Sequence, residues 1–125
     1  MRGISLWFML SAIVYVLAGM CFGIYMAVMQ DFQLAPMHGH LNLLGWVTMT
    51  LFAIYYHLVP SAAASGLAKL HFWLATGAIW LMVPGIAMAL TGQGETLAKI
   101  GSVAAILTML VFLTVVIRNR QPLTA

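Results

Sequence analysis

Four histidines, His38, His40, His57 and His71, stand in a chain that otherwise offers few polar groups. Of its 125 residues, 64% are hydrophobic and only 6% are charged, whereas soluble domains carry about 25% charged residues. An ionisable side chain is costly inside a lipid bilayer, so one found there is a candidate functional group. Imidazole can bind a metal or transfer a proton near neutral pH. The histidines are therefore the first residues to consider for chemistry.

His38 and His40 are separated only by Gly39. Residues at i and i+2 point to nearly opposite sides of a helix, and a zinc pair on one helix is spaced i, i+3 or i, i+4. The spacing therefore predicts a helix that lies between two sites and gives one imidazole to each. Gly39 would let a flat macrocycle approach the backbone, and Asn42 can hydrogen-bond a ring nitrogen. The spacing alone is equally compatible with a hydrogen-bonded pair at a helix entrance.

The other two histidines lie close to the ends of apolar runs. His57 follows Tyr55 and Tyr56, where an interfacial or hydrogen-bonded role is favoured over a ligand role. His71 follows Lys69 at the start of a run, a position typical of the membrane interface. A quinol-interacting oxidoreductase that uses Tyr55, Tyr56 and His57 stays open as an alternative.

A longer pattern surrounds the histidine pair, in residues 38–46 (HGHLNLLGW) and 55–60 (YYHLVP). This pattern resembles the second helix of subunit I of the haem-copper oxidases, above all in their nitric-oxide reductase branch. In that family a histidine, one residue and Asn-Leu-Leu open the helix, and the histidine is an axial ligand of the low-spin haem. The resemblance implies that His40 is such a ligand, with haem b as the cofactor. Copper is not expected, because the family's set of metal-binding histidines has no counterpart in this sequence.

The same family arranges four-helix units in a pseudo-threefold ring, in which one His-x-His pair serves two haems. By analogy the chain would form a homotrimer, with each haem held by His40 of one chain and His38 of the next. The sequence has no counterpart of the family's three metal-binding histidines, so no complete oxidase or reductase centre is expected. The implied function is a membrane-bound b-type cytochrome for electron transport, or for redox or gas sensing.

The residues are also compatible with two other kinds of protein. If His38 does not ligate, the haem is five-coordinate and a small gas can bind to it. A non-haem structural subunit or a copper-handling membrane protein is the alternative in which no haem is bound at all.

Four apolar runs, at about 4–29, 37–59, 70–90 and 100–117, must position these residues. About 20 apolar residues suffice for a helix to cross the bilayer. The second run opens at Pro36 and stops at Pro60, and the segment 61–68 is predicted to be a loop. The fold class is therefore an all-α membrane protein, an up-down bundle of four transmembrane helices in a single domain, 1–125, with lipid around it.

Charge gives the orientation, because basic residues mark the cytoplasmic side of a membrane protein. One side carries four of the five basic residues, Arg2, Lys69, Arg118 and Arg120, and the other carries Asp31, Glu95 and Lys99. The pattern predicts cytoplasmic termini in a bacterial inner membrane. So few basic residues do not favour nucleic acid as a partner, and the single cysteine, Cys21, excludes a disulfide within the chain.

Overall fold

The computed structural model describes residues 1–120, which form four long helices and contain no β-strand. The helices are α1 (Ile4–Met29), α2 (Ala35–Leu58), α3 (Gly66–Leu90) and α4 (Thr96–Arg118). Each is long and apolar enough to span a membrane, in which only internally hydrogen-bonded structures of this kind are stable. The prediction of an all-α chain with four such helices is confirmed. The last five residues of the predicted domain, 1–125, lie outside the described residues.

The helix ends differ most from prediction at the connection between α2 and α3. The segment expected to be a loop contains the helical turn Pro60–Ala63 and the first residues of α3, which begins at Gly66. Helix α4 likewise begins before the predicted position, at Thr96. Hydropathy marks the hydrocarbon core of the bilayer, whereas a helix can extend past that core wherever its sequence permits. The predicted starts of α3 and α4 were therefore too late, whereas the bounds of α1 were predicted as observed.

Consecutive helices run in opposite directions. The side chain of Gln33, before α2, donates from Nε2 to the carbonyl oxygen of Leu90 at the end of α3, at 2.9 Å. At the opposite end, Ser61 Oγ donates to Asn119 Oδ1 at 3.2 Å, which joins the α2–α3 connection to the end of α4. The four basic residues named above therefore share one end of the bundle, the basic end, and Asp31 and Glu95 lie at the other, the acidic end.

Glycines allow the closest helix contact, which is between α3 and α4. A Cβ atom at Gly85 would lie 2.5 Å from the backbone nitrogen of Ala98, and one at Gly101 would lie 2.6 Å from that of Met82. Small residues let membrane helices approach in this way, because association in lipid depends on van der Waals packing. Helix α2 packs on α1 instead and contains a π-helical segment, Leu41–Thr48, directly after the histidine pair.

Candidate functional site

The first turns of α2 carry His38 and His40 on different faces. His38 is half-buried against α1, where its ring centre lies 6.1 Å from that of Phe22. His40 is exposed and begins a stripe of exposed side chains that continues along α2 through Leu43, Val47 and Leu51. The two imidazoles therefore point apart, as the spacing predicts, and they do not act on one ligand together.

His40 is held by the backbone of its own helix. Its Nδ1 atom lies 2.7 Å from the carbonyl oxygen of Pro36, four residues earlier. A carbonyl oxygen only accepts, so Nδ1 carries the hydrogen and donates it, which leaves the lone pair of the neutral ring on Nε2. Ligating histidines typically have their second ring nitrogen fixed in this manner. The Nε2 atom of His40 is thus set up as a ligand on an exposed face.

His38 has the opposite arrangement. Its Nε2 atom lies 2.9 Å from the carbonyl oxygen of Gly19 in α1, and the same argument makes Nε2 the donor. The lone pair of the neutral ring is then on Nδ1. The nitrogen that extends farthest from the backbone is therefore occupied inside the chain, so His38 does not fit an axial ligand role in this conformation.

Asn42 belongs with His38 and not with His40. Its Nδ2 atom lies 3.3 Å from Nε2 of His38, and its Oδ1 atom is buried without a hydrogen-bond partner. Two donors face each other in this arrangement, whereas rotation of the amide by 180° would turn Oδ1 toward the N–H of His38. The predicted contact between Asn42 and a histidine ring is present, on the ring that faces α1.

Two glycines of α1 make the space for these side chains. A Cβ atom at Gly19 would overlap Asn42 Oδ1, and one at Gly23 would lie 3.1 Å from His38 Nε2. Both pairs are spaced by four residues along antiparallel helices, so that Gly19 faces Asn42 and Gly23 faces His38. Gly19, Gly23 and Pro36 were not predicted as partners of His38, Asn42 and His40. The matching four-residue spacings were the signal that could have revealed the two glycines.

Gly39 lies between the two histidines on an open part of the surface. Apart from its chain neighbours and the backbone of its own helix, no atom lies within 4 Å of where its Cβ would be, so no other helix would obstruct a flat group at this position. His40 could therefore hold the iron of a haem, with room beside Gly39 for the flat macrocycle. Within residues 1–120, no three His, Cys, Asp or Glu side chains come together as a metal-binding group.

His71 does not lie at an interface, so that prediction was wrong. Its side chain is fully buried among the rings of Phe8, Phe52 and Phe112. Its Nδ1 atom makes a 2.9 Å hydrogen bond with the hydroxyl of Tyr56, while Nε2 has no hydrogen-bond partner. The helix begins earlier than predicted, which places His71 more than one turn inside α3 and on its inward face.

His57 is exposed at the other end of α2, as expected. It lies 17 residues from His40, or about 25 Å at the rise of a helix. Its neighbour Tyr56 is buried and bonded to His71. A quinol held by Tyr55, Tyr56 and His57 would therefore be far from any group on His40 of the same chain, so the geometry does not favour that alternative.

Searches with protein-family models, against curated proteins and against solved structures find no match to this chain. The argument for a function therefore rests on the residues and their geometry.

Proposed function

We propose that this protein is a membrane-bound b-type haem protein in which His40 is an axial ligand of the iron. The observation that carries the proposal is the bond from Nδ1 of the exposed His40 to the Pro36 carbonyl oxygen, which leaves the lone pair of Nε2 free. Iron ligands in haem proteins are commonly imidazole nitrogens of this type. The resemblance of residues 38–46 to the oxidase helix favours the same histidine.

Haem b supplies a one-electron couple, and it binds small molecules where the iron lacks a second protein ligand. The residues of this chain would bind the haem and orient it. The Pro36 carbonyl fixes the ring of His40 and makes Nε2 more basic. The apolar stripe beside His40, with Leu43 and Val47, gives the macrocycle a surface that excludes water. Electron transport and redox or gas sensing are the roles compatible with these residues.

The position of His40 also supports an oligomer. A polar ring on a stripe that faces hydrocarbon is unfavourable unless a ligand or another protein covers it. A second copy of the chain would cover both the haem and the stripe, and the resemblance to the oxidase ring suggests a trimer. For His38 of a neighbour to supply the second ligand, its ring would have to leave the carbonyl of Gly19.

Location follows from the charges at the two ends. We propose a bacterial cytoplasmic membrane with both termini inside, because Arg2, Lys69 and Arg118 share one end of the bundle. A membrane-impermeant maleimide should label Gln93→Cys, but not Ser61→Cys, in intact cells that carry Cys21→Ser. Labelling only of the cysteine at position 61 would reverse the orientation.

Optical spectra of the detergent-purified protein, oxidised and reduced, test the proposed cofactor. We expect about one b-type haem per chain in the wild type and loss of most of it in His40→Ala. His57→Ala is the matched control, since it also removes an exposed histidine from α2, and it should keep its haem. A wild type that binds no haem when haem is supplied would instead favour the structural or copper-handling alternative.

A further inference from the structure

His38 and Asn42 form one contact between α1 and α2, although the two residues were singled out as parts of a ligand site. The ring of His38 donates to Gly19, and the amide of Asn42 fills the space left by the missing side chain of the same glycine. Gly23 leaves room for the ring itself. Together these four residues, which we term the α1–α2 clamp, join α1 to the first turns of α2 by a polar contact.

Release of His38 from the clamp would be unfavourable in lipid. The Gly19 carbonyl would lose its side-chain donor. Departure of the ring would also leave a gap beside Gly23. Surrounding lipid, unlike water, cannot replace a lost hydrogen bond. The amide of Asn42, whose Oδ1 already lacks a partner, would then lose its polar neighbour as well.

We infer that His38 is not an axial ligand but the hydrogen-bonded centre of the α1–α2 clamp, so that the iron position opposite His40 is open to a small neutral ligand such as carbon monoxide. The second half of this inference rests on the proposed function, because it requires haem on His40. The first half concerns only the chain. A clamp role for His38 explains why His38 donates from Nε2 whereas His40 donates from Nδ1.

A haem bound to His40 would lie on the exposed side of α2. Gly39 has no side chain, and no atom of another helix lies within 4 Å of its missing Cβ. His40 is itself exposed. No other histidine of the same chain is within reach, since His71 is buried in α3 and His57 is near the basic end.

Substitution of His38 by glutamine separates a clamp from a ligand. The side-chain amide of glutamine can donate to the Gly19 carbonyl from nearly the position of Nε2, but it is a poor ligand for haem iron. We expect His38→Gln to keep the thermal midpoint of the haem-free protein, and His38→Ala to lower it by about 3–8 °C. His57→Gln is the matched control and should leave the midpoint unchanged.

The second measurement is the binding of carbon monoxide to the reduced protein loaded with haem. We expect a carbon monoxide complex in the wild type, with the same haem content and spectrum in His38→Gln. If the wild type is low-spin and binds no carbon monoxide, while His38→Gln binds it, then His38 of a neighbouring chain fills the position and the inference is wrong.

Failure of the proposed function would look different from failure of the clamp. A wild type without haem removes the proposed function and the open iron position with it. The thermal midpoints of the haem-free proteins still test whether the clamp stabilises the bundle. Equal midpoints for His38→Ala and the wild type would show that it does not.

Discussion

At the scale of single residues, His71 shows how the bundle accommodates a polar ring in its interior. One nitrogen is paired with the hydroxyl of Tyr56, and aromatic rings surround the remainder. The ring centres of Phe52 and His71 lie 4.4 Å apart, and the ring planes meet at 66°. Aromatic pairs favour this edge-to-face arrangement. Tyr56 therefore determines whether His71 is tolerated at this position.

Replacement of Tyr56 by phenylalanine should destabilise the protein by about 1–3 kcal/mol, because Nδ1 of His71 would be left buried and unpaired. Thermal unfolding in detergent measures the effect. Tyr55→Phe is the matched control, since Tyr55 is only half-buried and its hydroxyl makes no hydrogen bond within residues 1–120. Equal stability of the two variants would show that the hydroxyl of Tyr56 does not support His71.

At the scale of the helices, glycines determine how closely neighbouring helices pack. Gly85 and Gly101 allow backbone contact between α3 and α4. Gly45 lets the backbone of α2 approach the side chain of Tyr15 in α1, where an added Cβ would lie 2.7 Å from Tyr15 Cβ. Each of these contacts is made between consecutive helices. The bundle therefore consists of two closely packed hairpins.

Gly101→Ala should destabilise the protein by about 1–3 kcal/mol, because its methyl group would be forced against the backbone of Met82. Gly77→Ala is the matched control, since no atom lies within 4 Å of its missing Cβ. That substitution should be neutral or should stabilise α3 by up to about 1 kcal/mol. Thermal unfolding in detergent compares the two, and the opposite order of stability would contradict the described α3–α4 contact.

Hydropathy predicted the helices themselves, because apolar composition over about 20 residues is a direct requirement of the bilayer. It did not predict their full lengths or the π-helical segment Leu41–Thr48. A π-helical turn depends on how α2 packs along its length, and local composition does not encode that. The extra residue per turn shifts the face that α2 presents between His40 and Met49.

The candidate site was predictable to a similar degree. The spacing of His38 and His40 indicated that they point apart, and the structure places them so. Spacing did not reveal which ring faces α1, because that depends on the contact with Gly19 and Gly23. The environment of His71 depends on rings from three other helices, which no local pattern describes.

At the scale of the whole molecule, polar groups are sparse and unevenly distributed. Four of the five basic residues lie at one end of the bundle, and His38 and His40 lie toward the other. Most of the remaining surface is apolar, with large exposed side chains along all four helices. Lipid covers such a surface in a membrane, so an exposed His40 is the feature that most requires a ligand or a partner.

The most direct test of haem ligation by His40 is the haem content of His40→Gly with and without added imidazole. Because His40 is exposed, free imidazole can enter the space that the substitution leaves. We predict that the variant binds little haem by itself and that imidazole restores a b-type spectrum close to that of the wild type. Wild-type haem content in His40→Gly without imidazole would contradict the assignment of His40 as the ligand.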